Sequence, residues 1–166
     1  MHKTFSFEFF PPRTPEGKTK LQHTWQQLAQ LQPKFFSVTF GAGGSTQSGT
    51  LDTVLEIGRA GFEAAPHLSC VASTKAEIAQ IIGQYKDNGI RHLVALRGDL
   101  PSGIAMAGEL RHADELVAFI RAQTGDWFHI DVAAYPETHP QAKSPASDID
   151  FFVQKMKAGA NSAVTQ

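Results

Sequence analysis

Thr4-Phe5-Ser6-Phe7-Glu8-Phe9-Phe10-Pro11-Pro12-Arg13-Thr14-Pro15-Glu16 reads as a strand that turns into a helix through a proline elbow. Thr4–Phe10 is a short apolar run of strand length. Thr14 is placed to cap the helix, with Pro15 at its first position. Leu21, Trp25, Leu28 and Leu31 then recur on one helical face. A doubly wound nucleotide-binding sheet carries a glycine-rich phosphate loop after its first strand. Here the strand runs into Pro11-Pro12-Arg13, with no G-x-G-x-x-G and no Walker lysine. That weighs against the open sheet and towards the (β/α)8 barrel.

The same unit recurs along the chain. Further apolar runs lie at Phe35–Phe40, Ala64–Cys70, His92–Arg97 and His129–Tyr135, with a last start at Ser162–Thr165. Helical segments separate them, so the strands are expected to be parallel. Leu51, Val54 and Leu55 mark the second helix, ended by Gly61. Thr74-Lys75-Ala76-Glu77 has capping-box form and leads into Ile78, Ile81, Ile82 and Tyr85, with Gly89 closing the helix. Leu116, Phe119 and Ile120 mark the fourth helix. Ile149, Phe152, Val153 and Met156 form the apolar stripe of the fifth, stopped at Gly159. The expectation is an α/β chain of (β/α)8 TIM-barrel type, with the first five βα units and the start of strand six. Residues 1–166 are read as one partial barrel domain. A barrel usually takes about 250 residues, so the chain is expected to be a truncated portion of a longer barrel, or part of an unusual short form, and inactive on its own.

Composition narrows the partners. The chain has 166 residues, with Lys+Arg 15 against Asp+Glu 16 and no basic block, so neither nucleic acid nor an anionic membrane is expected. No run approaches the ~20 apolar residues of a membrane span. A lone cysteine, Cys70, excludes an internal disulfide framework. It points with the polar N-terminal segment to the cytoplasm. Barrel edges left uncovered would favour a homo-oligomer.

In parallel α/β proteins chemistry collects where strands end. Those ends supply Glu8, Thr39, His67, Arg97 with Asp99, Tyr135 with Glu137 and His139, and Gln166. Glu8 sits among phenylalanines. If buried, it would be held protonated as a general acid; if strand alternation turns it outward, it would pair with a helix lysine. The pattern leaves both open. In Leu96-Arg97-Gly98-Asp99-Leu100-Pro101 the cation suits a phosphate or a planar ring, and Gly98 would let a ligand approach the backbone. Gly41-Ala42-Gly43-Gly44-Ser45-Thr46 is a permissive loop before a helix. His67, Asp99 and His139 match no closed metal-ligand spacing, so no metal is expected.

Several blocks are familiar together. Phe5–Thr14, Ser37–Thr46, Pro66–Cys70, Leu96–Pro101, Ala134–Pro140 and Lys155–Gln166 resemble, in order, the signatures of the methylenetetrahydrofolate reductase family. The resemblance implies a flavoprotein that uses FAD, with NADH or NADPH as co-substrate. It would reduce 5,10-methylenetetrahydrofolate to 5-methyltetrahydrofolate by ping-pong passage of hydride through the flavin. By position it makes Glu8 the general acid and Asp99 its catalytic partner beside flavin and pterin. Glu8, Asp99 and Gln166 would bind substrate. Thr39, Ala42, His67, Arg97, Gly98, Asp99, His112, Ala113, Tyr135, His139, Asp148 and Lys155 would hold cofactor, with Ala42 beside the nicotinamide. Two departures fall at the adenine end. His112-Ala113 stands where many members have Tyr-Ala, and Phe151 and Gln154 replace polar or basic residues.

Two other readings remain from the residues. The chain could be a non-catalytic half-barrel that binds flavin or pterin, or that pairs with another chain. It could also be a different barrel enzyme using His67, Asp99 and His139 on a metal.

Overall fold

The computed structural model describes residues 4–40, 44–98, 108–140 and 142–165. Among them six strands alternate with five helices: β1 (Phe7–Phe9), α1 (Pro15–Ala29), β2 (Phe36–Val38), α2 (Gly44–Arg59), β3 (Ala64–Ser69), α3 (Lys75–Asp87), β4 (His92–Leu96), α4 (Ala113–Thr124), β5 (His129–Ala133), α5 (Pro145–Lys157) and β6 (Ser162–Val164). The β1–β2, β2–β3, β4–β5 and β5–β6 pairs are all parallel. The alternation is as expected from the sequence. The strands are shorter, because residues such as Phe10, Thr39 and Tyr135 have already left the ladder. Two compact units are present, Met1–His67 and Leu68–Gln166.

In the first unit, register sorts the side chains. Phe7 pairs with Phe36 and Phe36 with Ala64, while Glu8 pairs with Ser37 and Ser37 with Ala65. Paired residues of parallel strands share a face, and alternation puts their neighbours on the other. Phe7, Phe9 and Phe36 therefore form one apolar face. Phe36 stacks on Phe9 at 5.5 Å and meets Trp25 of α1 edge-on at 6.5 Å. Phe36 is fully buried and Trp25 nearly so. Helix α1 starts as the sequence predicts: the Thr14 hydroxyl accepts from the Gly17 N–H, and Pro15 opens the first turn.

In the second unit, α3 has the full Thr74–Glu77 capping box and buries Ile78, Ile81, Ile82 and Tyr85. Gly89 follows it at φ 73°. Helix α4 buries Leu116, Val117 and Ile120. Helix α5 has no buried residue. Its apolar stripe is not buried: Ile149 is 63% and Val153 39% exposed. Arg121 ties the end of α4 to the chain after α5, donating to the Gly159 carbonyl at 2.8–2.9 Å and to the Asn161 side chain at 2.6 Å.

No described helix is long and apolar enough to cross a membrane.

Candidate functional site

The first unit brings Glu8 and His67 together. They lie on the same face as Ser37 and Ala65, opposite the phenylalanines, by the register just given. Glu8 Oε2 is 3.5 Å from His67 Nε2. Of the two orientations the sequence left open for Glu8, the outward one is found. Alternation turns the carboxylate away from Phe7 and Phe9, and its side chain is 32% exposed. The imidazole of His67 stands beside it. His67 is the buried member, 7% exposed, and burial pushes its pKa down to about 4. The ring is neutral near pH 7, so Glu8 meets a neutral imidazole and not a cation. Thr39, one step past β2, is fixed through its backbone. Its N–H donates to Phe9 and its carbonyl accepts the Thr50 hydroxyl at 2.8 Å.

In the second unit, the ends of β3 and β4 are laced together. The Cys70 and Val71 N–H groups donate to the Leu96 and Arg97 carbonyls. The Ser69 hydroxyl also donates to the Arg97 carbonyl at 2.8 Å. Gly98 sits at φ 83°, and a Cβ there would collide with the Ser69 hydroxyl and lie 2.8 Å from Val71 Cγ1. The glycine is therefore required by backbone conformation and packing, a different reason from the open approach for a ligand expected of it. The Cys70 thiol is fully buried and pushed up to about 11, chiefly by burial. His112 caps α4 without a side-chain hydrogen bond, next to Ala113 at the first helical position. Its ring stacks on Phe151 at 6.1 Å and 19°. The two departures noted in the sequence thus touch each other.

The third cluster is a groove where β5 and β6 end against α5. It has a volume of about 220 Å³ and is lined by residues that include Tyr135, Asp148, Ile149, Phe152, Lys155 and Thr165. Lys155 Nζ donates to the Ala133 carbonyl at 2.5 Å. Burial lowers its pKa, while Asp148 and Asp114 work the other way. Asp148 also accepts the His139 N–H at 2.9 Å. The His139 ring meets Tyr135 edge-on at 4.6 Å. Thr138, between Glu137 and His139, takes a strained φ of 123°, the kind of cost that persists where surrounding contacts fix a loop. A cation, an anion beside it and flanking aromatic walls suit a planar ligand that carries a negative charge.

The profile of the methylenetetrahydrofolate reductase family matches residues 1–166. The chain belongs to the methylenetetrahydrofolate reductase family. It is 47% identical over 162 residues to the 5,10-methylenetetrahydrofolate reductases of Salmonella typhimurium and Escherichia coli, covering 97% of this chain and 53% of each relative. It is 38% identical to the probable methylenetetrahydrofolate reductase (NADH) of Oryza sativa, covering 98% of this chain and 30% of that protein. The chain thus spans about half the length of its bacterial relatives. Among solved structures, phosphonopyruvate hydrolase aligns with a TM-score of 0.57 at 10% identity, covering 99% of this chain and 58% of that one. For 2,3-dimethylmalate lyase the TM-score is 0.54 at 8% identity, covering 98% and 56%. At such identity these two speak for the fold alone.

Of the residues that the reductase resemblance singles out, Glu8 and His67 meet in the first unit. Tyr135, Asp148 and Lys155 line one groove in the second, with His139 bound to two of them. Ala42, Asp99 and Gln166 lie outside the described residues. Sequence reasoning read Ile149 and Phe152 only as part of the apolar stripe of the fifth helix and missed them as groove walls; helical spacing is the same in either role. It also missed a cluster at the beginnings of β4, β5 and β6. There the His92, His129, Asp131 and Ser162 side chains meet. Their distance along the chain hides this, and the parallel register alone could have signalled it.

Proposed function

We propose that the protein reduces 5,10-methylenetetrahydrofolate to 5-methyltetrahydrofolate, with FAD as resident cofactor and NADH or NADPH as reductant. The observation that carries the reading is the convergence of Lys155, Asp148 and Tyr135 on one groove, at positions the family resemblance assigns to the cofactor. The donor set fits part of a flavin dinucleotide. A groove of about 220 Å³ is below the roughly 300–1,000 Å³ that encloses a whole ligand of that class, so it takes one portion. Lys155 binds a phosphate oxygen, Asp148 keeps the lysine charged and fixes the His139 backbone, and Tyr135 and Phe152 flank the ligand. Bound FAD supplies the hydride relay between nicotinamide and folate.

On the folate, Glu8 delivers the proton that opens the one-carbon ring to an iminium, and Asp99 stabilises that cation. Neutral His67 holds the Glu8 carboxyl from one side without competing for it as a cation. Thr39, Arg97, Gly98, His112 and Ala113 complete the cofactor contacts, with Ala42 beside the nicotinamide. Gln166 contacts both substrates. The same reading has the barrel close with eight strands, and places the protein in the cytoplasm.

The test is FAD titration of the purified chain, followed by absorbance at about 450 nm, with turnover of the protein followed as NADH- or NADPH-dependent formation of 5-methyltetrahydrofolate. The expected result is saturable FAD binding, weakened about tenfold or more by Lys155→Met, which removes a charge-assisted contact. A chain that retains no FAD, in a protein that forms no 5-methyltetrahydrofolate, overturns the proposal.

A further inference from the structure

At the opposite end of β5 from the groove, three metal-ligating side chains share one face. His92 and His129 are the first residues of β4 and β5 and stand side by side in register. Asp131 is two residues further along β5, and Ser162 at the start of β6 is its register partner. In-register neighbours on parallel strands are about 4.8 Å apart, and the two imidazole centroids are separated by that distance, 4.8 Å. The sheet itself therefore sets the spacing, so the cluster needs no flexible loop to form it.

The ligand atoms already converge. His92 Nε2 is 2.8 Å from Asp131 Oδ2, and His129 Nε2 is 3.4 Å from Asp131 Oδ1. All three ligand groups lie within 4.8 Å of one another. Tetrahedral zinc with bonds of about 2.0–2.1 Å places its ligand atoms about 3.3 Å apart. The carboxylate-to-imidazole distances bracket that value, and small rotations of the rings close the rest. Ser162 hydrogen-bonds Asp131 and so orients that ligand from outside the coordination shell, while its 2.6 Å contact to His129 Nε2 gives way when that nitrogen takes the ion.

Burial favours an ion. The Asp131 side chain is 3% and the His92 side chain 4% exposed, whereas His129 is 41% exposed. The buried Asp131 carboxylate is hydrogen-bonded by His92 and Ser162, so an ion takes the place of the His92 proton as its partner, and the half-open His129 gives that ion a way in and leaves room for a water ligand. Two imidazoles and one carboxylate select a borderline transition ion over magnesium or calcium, which prefer oxygen shells.

We propose that His92, His129 and Asp131 form a binding site for a divalent transition-metal ion of the zinc class, which ties the beginnings of β4, β5 and β6 together. The site is separate from the groove at the strand ends, and its test reads binding and stability, not reductase turnover. Purified chain freed of metal is titrated with Co2+, whose visible d–d bands report tetrahedral nitrogen and oxygen ligands, and then with Zn2+. One equivalent of Co2+ is expected, displaced by one equivalent of Zn2+, with a zinc-dependent rise in the thermal midpoint. His129→Gln should weaken binding about tenfold or more and abolish the rise. It keeps the buried His92–Asp131 pair, so its far-UV circular dichroism should match the parent. A parent chain that takes up no Co2+ overturns the proposal without any variant. Binding that His129→Gln leaves undiminished overturns it as well.

Discussion

Acidification should expose the balance of forces at His67. The imidazole is 7% exposed and its pKa is pushed down to about 4 by burial. In the unfolded chain a histidine titrates at about 6.5. Between those values the unfolded state binds a proton that the folded state refuses, so stability falls as pH falls through the unfolded value and levels off below the folded one. Each unit of difference is worth about 1.4 kcal/mol. The loss is then about 2 kcal/mol at about pH 5 and approaches about 3 kcal/mol near pH 4. Glu8 acts in the opposite sense, since a carboxylate 3.5 Å away attracts an imidazolium. That carboxylate is 32% exposed and so screened by water, whereas the ring is almost dry; desolvation should win. The assay is urea unfolding from about pH 7.5 to about pH 4.5 for the parent and for His67→Gln, whose amide stays neutral throughout. Their stability curves should diverge by about 2.5 kcal/mol over that range, with the variant flatter. A heteronuclear NMR titration of the His67 ring adds the decisive reading. A midpoint at or above the unfolded value would show that Glu8, not burial, governs the ring, and would refute the reasoning. Superimposable pH slopes for parent and variant would do the same.

Two further outcomes follow from the ends of β3 and β4. Gly98→Ala forces a side chain into a φ of 83° and against Ser69 and Val71, so it should destabilise by about 2 kcal/mol or more, read as a lower urea midpoint; an unchanged midpoint would show that the loop simply shifts. Cys70 is fully buried, with its thiol pushed up to about 11. It should therefore resist a thiol-disulfide reagent at about pH 8 until urea unfolds the chain, and prompt modification of the folded chain would contradict that burial.

The fold was legible wherever local chemistry and global packing demanded the same residue. Thr14-Pro15 and Thr74…Glu77 cap helices in isolation and in the structure alike, and Ile78, Ile81, Ile82 and Tyr85 bury along the stripe their spacing marks. The difficulty began where one pattern serves two purposes. Ile149 and Phe152 have the spacing of core residues, yet they line a groove, because periodicity reports which face is apolar and not what covers it. Glu8 shows the same limit at a single residue. Its phenylalanine neighbours left burial and exposure both open; a strand alternates, and with Phe7 and Phe9 packed on Phe36 the carboxylate between them stands on the other face. The roles at Lys155, Asp148 and His139 came from family resemblance, and nothing in their spacing said that Asp148 would hold the His139 backbone or that Lys155 would reach the Ala133 carbonyl. The His92, His129 and Asp131 cluster was invisible for the converse reason. Metal motifs are recognised by short spacings on one element, whereas here the ligands are neighbours across strands. Once β4 and β5 are paired in parallel from their first residues, His92 must stand beside His129, and the alternation along β5 must return Asp131 to the same face. Register, which a single sequence does not state, is thus the step that converts distant residues into a site.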